Sequence, residues 1–303
     1  MMDRIIEIAQ DNRYLAIDRG FMVVYENAQE VGRVPIEQIG AVIANAHGLT
    51  YSNNLLVRLA EQNAPFVVCG ANHVPASIMI PLENHHLQGD ILTAQAKMKQ
   101  SAADRFWKDI IQAKLTQQAE VLKTCSKPDM PLRYMAKQVK NGDPENLEGQ
   151  GARYYFQTLF GKDFRRDRAQ DGINAMLNYG YTILRSAVVR AITGAGLHPS
   201  LGIHHQNQYN AMRLADDLME PFRPLVDFCV YRMTNEDEFG SVTPEVKKRL
   251  VALLSRTVKT EERECEIAYL ISNLAVSLQK CVMGEADGLS LPESMTGANL
   301  WSL

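Results

Sequence analysis

No two of the five cysteines, Cys69, Cys125, Cys229, Cys265 and Cys281, form a C-x-x-C pair, and their number is odd. That argues against a disulfide framework or a structural zinc site and for reduced thiols in a core. No stretch approaches the roughly 20 apolar residues that cross a bilayer, and the opening MMDRIIEIAQ lacks the apolar run of a secretion signal. The expectation is a cytoplasmic chain with no membrane contact. A large net charge is also missing. The formal balance is −3, so a uniformly basic nucleic-acid coat is excluded and any DNA-binding surface must be a local patch. Internal repeats and low-complexity blocks are absent. What remains is ordinary for a globular protein: 303 residues, 46 % hydrophobic and 22 % charged, enough for a well-buried core in one large or two ordinary domains.

The first 80 or so residues carry short apolar runs rich in β-branched and aromatic side chains. YLAID, FMVVYE, AVIA and FVVCG read as strands, with a hairpin turn at DRG, 18–20. SNNLLVRLAEQNA, 52–64, reads instead as one short helix: Ser52 or Asn53 can cap it, and Leu55, Leu56, Leu59 and Ala60 form a stripe. After the polar ENHHLQGD, 83–90, the strand signal almost disappears. A helical stretch of some thirty residues without Gly or Pro starts near 93, followed by PLRYMAKQVK and by helical patterns at 152–160, 172–193, 210–234, 244–256 and 260–283. The expected architecture is α+β: a β-rich domain over 1–88 and a larger all-α domain over 89–303. The tail after 288 has no sustained period and reads as loosely held.

Chemistry concentrates in LGIHHQNQYNAMRLADDLMEPFRP, 201–224. On a straight helix His205 and Glu220 would lie about 22 Å apart along the axis, so they can share a ligand only if the chain turns between them. The Asn-rich HQNQYN and the prolines Pro221 and Pro224 are where it can. Asp216, Asp217 and Glu220 crowd one side of a helical turn and need compensating charge. Arg213 and Arg223 would supply it on a merely solvated, salt-bridged helix; a bound divalent ion would supply it otherwise. Glu148, set against two glycines at the start of a third segment, NLEGQGARYYFQTLFGKDF, is either a further carboxylate of that kind or a helix N-terminal acid. From 152 to 190 the chain holds seven Arg/Lys (Arg153, Lys162, Arg165, Arg166, Arg168, Arg185 and Arg190) against three Asp. A basic surface beside an acidic cluster suits a phosphodiester substrate, cations holding the backbone and carboxylates the ion.

EGQGARYYFQTLFG, DGINAMLNYGYTILRSAVVRAI and LGIHHQNQYNAMRLADDLMEPFRPLVD resemble, in order and spacing, three motifs of the CRISPR-associated integrase family that inserts new spacers into CRISPR arrays, in the branch accompanying type II systems. With the β-rich start, the resemblance covers most of the chain. It implies a metal-dependent DNA endonuclease and integrase in which Glu148, His205 and Glu220 hold Mg²⁺ or Mn²⁺ and the 3′-hydroxyl of a prespacer attacks a repeat phosphodiester. His205 is the family's histidine because x-N-x-[FY]-N follows it; His204 is its neighbour, packing or touching DNA. Other branches use the aspartate of the same motif, which keeps Asp217 as the alternative third ligand. Arg153 and Arg223 are candidates for phosphate contact or support of the ligands, and Arg165, Arg166 and Arg168 for DNA contact. Asn178, Tyr179 and Tyr181 either orient ligands or belong to the core. The resemblance also implies partners: double-stranded DNA as prespacer and CRISPR repeat, a second copy joined through the β domain, a small bridging CRISPR-associated protein, the type II effector nuclease and a further acquisition protein. A metal-dependent hydrolase of a small phosphoester and a non-catalytic DNA-binding scaffold are the competing readings of the same residues.

Overall fold

The computed structural model describes residues 4–70, 75–81, 87–167, 169–236, 240–259 and 264–292. Arg168, residues 83–86 of the polar stretch 83–90 and the last eleven residues of the tail lie outside the described residues.

Eight strands and one helix open the chain: β1 (Arg4–Ile8), β2 (Arg13–Asp18), β3 (Phe21–Glu26), β4 (Gln29–Pro35), β5 (Ile39–Ala44), β6 (Thr50–Tyr51), α1 (Asn53–Glu61), β7 (Phe66–Cys69) and β8 (Pro75–Met79). They build two sheets, in the orders β4-β3-β2-β6 and β1-β5-β7-β8. β2 and β3 pair antiparallel with Asp18 opposite Phe21, across the two-residue turn expected at Arg19 and Gly20. All six residues of β5 are buried, as befits a central strand flanked by parallel neighbours. Alternation divides this sheet between two cores. Val42, Ala44 and Phe66 face Leu15, Met22, Leu55 and Leu59, whereas Ile43, Val67 and Cys69 join the core of the helical region. α1 starts where the sequence places it, Ser52 Oγ accepting from Leu55 N at 3.2 Å.

The rest of the chain is mostly helical: α2 (Gln88–Ala96), α3 (Gln100–Thr124), α4 (Met130–Gln138), α5 (Leu147–Phe160), α6 (Ile173–Gly194), α7 (Arg213–Leu218), α8 (Arg223–Glu236), α9 (Pro244–Ala252) and α10 (Ile267–Val282), with two short strands, β9 (Thr257–Lys259) and β10 (Glu264–Glu266), before α10. Three expectations need correction. The thirty-residue helix is broken between Ala96 and Gln100, just after the buried Gln95, whose side chain holds the 198–201 loop: its Nε2 donates to His198 O and Leu201 O, and its Oε1 accepts from His198 N. The 210–234 helix is three pieces, with a 3-10 turn at Glu220–Phe222 before α8. The region is not purely helical, since β9, between the stretches read as helices, pairs antiparallel with β10, which lies inside 260–283.

Two long helices supply much of the core. α3 buries Phe106, Trp107, Ile110, Ile111 and Leu115, and α6 buries Leu177, Ile183, Leu184 and Val188. The helices join the sheet through Glu7 on β1. Its Oε1 accepts from Asn45 Nδ2 at 2.5 Å and Lys247 Nζ at 2.9 Å, and its Oε2 from the Tyr179 hydroxyl. Tyr179 therefore ties the two parts together.

α6 approaches α8 closely at Gly180, where an added Cβ would stand 2.4 Å from Val226 Cγ1 and 3.2 Å from Leu250 Cδ2. Val226 is buried and β-branched, with one preferred rotamer in a helix. The clash therefore outweighs the gain in helix propensity. Gly180→Ala is expected to destabilise by about 1–2 kcal/mol and lower the melting temperature by about 2–6 °C in thermal denaturation.

Candidate metal centre

Glu148 enters from the first turn of α5. The free amides of that turn are satisfied by neighbours: Asp143 Oδ1 and Oδ2 accept from Leu147 N and Glu148 N, both at 2.9 Å, and Asn146 Oδ1 from Gly149 N at 3.1 Å. With Asp143 doing the work of the helix N-terminal acid, the Glu148 side chain reaches α3, where Lys114 Nζ donates to its Oε1. Glu220 arrives on the 3-10 turn at the α7–α8 corner and is 5 % exposed. Its Oε1 lies 2.8 Å from Arg223 Nε and its Oε2 2.6 Å from Lys114 Nζ. The ammonium meets Oε2 outside hydrogen-bond geometry, so that oxygen is buried and charge-paired but has no directed donor. Burial disfavours the ionised form of Glu220, and Arg223 and Lys114 together outweigh it, holding the carboxyl below the usual range. Burial acts equally against the Lys114 ammonium, and Glu220 and Glu148 outweigh it, so its pKa is raised.

His205 is delivered by the turn 202–205, and that turn is built around one carboxylate. Asp217, fully buried, accepts from Ile203 N at 2.6 Å, His204 N at 3.0 Å and His205 N at 3.2 Å, while His205 Nδ1 stands 2.5 Å from its Oδ1. Gly202 allows this closure: a Cβ there would lie 2.8 Å from Arg213 Cβ and 2.9 Å from His205 O. The Asp217 hydrogen bond outweighs desolvation and raises the His205 pKa. With Nδ1 engaged, Nε2 is the nitrogen left for a ligand, the arrangement that orients metal-binding histidines. His204 stacks on Trp107, centroids 4.2 Å apart and planes 1° apart, and burial lowers its pKa.

The three crowded carboxylates therefore have three separate partners. Asp217 holds the turn, Glu220 meets Lys114 and Arg223, and Asp216 Oδ2 accepts from Arg185 Nη2 at 2.7 Å and Asn210 Nδ2 at 2.6 Å. Arg213, expected as a counter-charge, instead donates through Nε to Asn207 O at 2.9 Å. The break of the helix at 219–222 turns the carboxylates away from one another.

Glu148, His205 and Glu220 line one cavity of about 660 Å³ together with Lys114, Gln118, Arg153, Arg165 and Arg223. Phe156 and Phe164 add apolar wall. Arg166 also lines it, but its Nη1 and Nη2 donate to Asn174 and Asn178 at 2.9 and 2.6 Å. Deeper, the Tyr181 hydroxyl donates to the buried Asp227, with Arg223 and Arg166 over the Tyr181 ring at 4.6 and 5.3 Å. Burial pushes the Asp227 carboxyl up to about 7, against the opposing pull of the Tyr181 hydrogen bond.

The three predicted ligands thus face one cavity without closing on one point: among the described residues, no three His, Cys, Asp or Glu side chains form a metal-sized cluster. A cation already stands between two of them, the Lys114 ammonium. The donor set still fits a divalent ion. It offers the undirected Glu220 Oε2, a Glu148 carboxylate at a helix start and an imidazole oriented through Nδ1, and Gln118 Oε1 is another buried oxygen without a hydrogen-bond partner among the described residues. Asp217 fits poorly as a ligand because both its oxygens are engaged. Lys114, Asp143, Trp107 and Asp227 escaped sequence reasoning. One signal existed: Lys114 interrupts the apolar stripe Trp107–Ile110–Ile111–Leu115 of α3, and a charge on a buried face needs a buried partner.

Fold and site define a class: a β-sheet part carrying a helical part in which two glutamates and a histidine meet an arginine-lined cavity, a donor set suited to a divalent ion beside a phosphate ester. Within that class the chain belongs to the family described as CRISPR associated protein Cas1, whose profile matches residues 6–261. It is 32 % identical to the CRISPR-associated endonuclease Cas1 of Neisseria meningitidis serogroup C (strain 8013), over 94 % of this chain and 95 % of that protein. Among solved structures, a casposase bound to integration product superposes with a TM-score of 0.79 at 20 % identity, covering 98 % of this chain and 94 % of the casposase. A chain of a Cas6-RT-Cas1–Cas2 complex superposes with a TM-score of 0.76 at 20 % identity, covering 97 % of this chain and 36 % of that chain. These two likenesses are of fold.

Two outcomes follow from the geometry. Asp217→Ala removes the acceptor of three backbone amides and of the imidazole. Amide exchange at 203–205 should accelerate, the His205 pKa read by NMR in EDTA should fall, and stability should drop by at least about 2 kcal/mol. For Asp227 the folded-state pKa of about 7 lies above the ordinary 3.8. Its contribution is therefore fully present below about pH 4 and is lost as pH rises through 7. Between pH 5 and 8 the melting temperature of Asp227→Asn should decline less than that of the wild type.

Proposed function

We propose that this chain is the DNA endonuclease and integrase of spacer acquisition, joining prespacer 3′ ends to the CRISPR repeat, with Glu148, His205 and Glu220 holding Mg²⁺ or Mn²⁺. The observation that carries the reading is the meeting of these three side chains on one cavity walled by Arg153, Arg165 and Arg223, in a chain whose 32 %-identical relative is named an endonuclease. Residues 1–88 are the dimerising domain and 89–303 the catalytic domain in this proposal. Double-stranded DNA and a small bridging protein are its partners, a choice supported by the Cas1–Cas2 and integration-product assemblies whose chains share this fold. The homodimer, the type II effector nuclease and a further acquisition protein belong to the proposal through the motif resemblance alone.

Arg153 and Arg165 at the cavity wall attract the phosphodiester, and Phe156 and Phe164 beside them offer faces to a base or sugar. Asp217 keeps the imidazole aimed through its Nδ1 contact, and Arg223 holds Glu220 ionised. A bound divalent ion supplies charge stabilisation to the phosphate oxygens and the leaving oxygen. In strand transfer the prespacer 3′-oxygen forms a bond to phosphorus while the bond from phosphorus to the leaving 3′-oxygen breaks. The attacking hydroxyl gives up one proton and the leaving oxygen gains one. No protein nucleophile takes part, so none of the cysteines needs a catalytic role. Two carboxylates with one imidazole suit Mn²⁺ at least as well as Mg²⁺.

The test is strand transfer of a short duplex with 3′-hydroxyl ends into a supercoiled plasmid carrying a CRISPR repeat, with the small bridging protein and either Mn²⁺ or EDTA. Joined product should require metal and fall by about 10²-fold or more in Glu148→Ala, His205→Ala and Glu220→Ala. Product that survives His205→Ala would transfer the ligand role to His204. DNA binding without joining by the wild type would bring the scaffold reading forward.

A further inference from the structure

We infer that Lys114 is a resident counter-cation that competes with the metal for Glu148 and Glu220, so that the site loads its ion fully only when a DNA phosphate is present. The inference rests on the ligand reading above and adds a residue and a regulatory consequence to it. Lys114 sits in the middle of α3 and is 5 % exposed. Its ammonium donates to Glu148 Oε1 and stands 2.6 Å from Glu220 Oε2, so one cation contacts one oxygen of each carboxylate. A divalent ion held by the same two carboxylates would have to displace it, and two cations in that space would repel.

The cavity provides somewhere for the ammonium to go. Gln118 is on the same helix one turn further on, lines the same cavity, and presents a buried Oε1 with no hydrogen-bond partner among the described residues. The second acceptor is the substrate. A phosphodiester drawn in by Arg153 and Arg165 brings anionic oxygens beside the metal position, and the displaced ammonium can pair with one of them. Metal and DNA then favour each other's binding by the same factor, as linkage requires. Arg223 differs from Lys114 here. It meets the other oxygen of Glu220 and lies over Tyr181, so it can stay in place when the ammonium leaves.

The experiment is a Mn²⁺ titration of the full chain, followed by EPR of free Mn²⁺, with and without a duplex whose 3′ ends are dideoxy and cannot react. In DNA-free protein, Lys114→Met and Lys114→Gln should bind Mn²⁺ at least about tenfold more tightly than the wild type, and Lys114→Arg, which keeps the charge, should not. DNA should tighten wild-type binding about tenfold or more and the neutral variants clearly less. Equal or weaker affinity in folded Lys114→Met and Lys114→Gln overturns the inference. If neither neutral variant folds, the wild-type linkage decides it: no tightening by DNA overturns the inference as well. Glu148→Gln separates the two levels. Wild-type Mn²⁺ binding unaffected by Glu148→Gln sinks the ligand reading and this inference with it. Binding abolished by Glu148→Gln but not tightened by neutralising Lys114 sinks the inference alone.

Discussion

The helical part of this protein is organised around one electrostatic problem, the burial of Glu220 and Lys114 with the half-buried Glu148 beside them. Glu148 and Glu220 come from segments 72 residues apart in the sequence, and the buried Glu220 would be costly in its interior place without a cation. Lys114 contacts both and Arg223 contacts Glu220 from the other side, so burial and pairing must be satisfied together or not at all. Breaking the buried Lys114–Glu220 pair by removing one partner costs typically about 3–5 kcal/mol. This ties α3, α5 and the α7–α8 corner to one another. The long apolar face of α3 places Lys114, Asp143 and Asn146 free Glu148 from helix-capping duty, and the 3-10 turn before α8 aims Glu220 inward.

A second carboxylate solves the positioning of the histidine. Asp217 gathers three successive amides and the imidazole into a turn that would otherwise be a loop of polar residues with no reason to hold one shape. Gln95 fixes the approach to that turn by bonding the 198–201 backbone from α2. The acidic cluster that looks uniform along the chain is therefore a set of unlike parts: Asp216 anchors Arg185 and Asn210, Asp217 shapes the turn, and Glu220 faces the cavity. The residue left facing the cavity, Glu220, is the one that the proposed function assigns to the metal.

Much of this was legible in advance. The strands at 14–18, 21–26, 41–44 and 66–69, the turn at Arg19 and Gly20, and the cap at Ser52 follow from alternation and short-range hydrogen bonding, which act within a few residues. So did the bend between His205 and Glu220, since no straight helix brings them together. The break at 97–99 was not legible, because no Gly or Pro marks it, and neither was the bond from Gln95 beside it to a loop about a hundred residues later. The β9–β10 pair was hidden by strands of three residues each, too short for a period to show. Tyr179 read as core or ligand support, whereas it joins Glu7 across the whole length of the β-rich segment.

The sequence by itself determined the fold class, the family motifs and the residue types at the site, because hydrophobic period, capping and motif spacing are properties of neighbouring residues. Only the tertiary structure decided which of three neighbouring acids faces the cavity, and that Lys114, not Arg213, joins Arg223 in compensating it. Those choices depend on which buried charges meet across distant helices, and burial with pairing is a property of the packed chain, not of any segment within it.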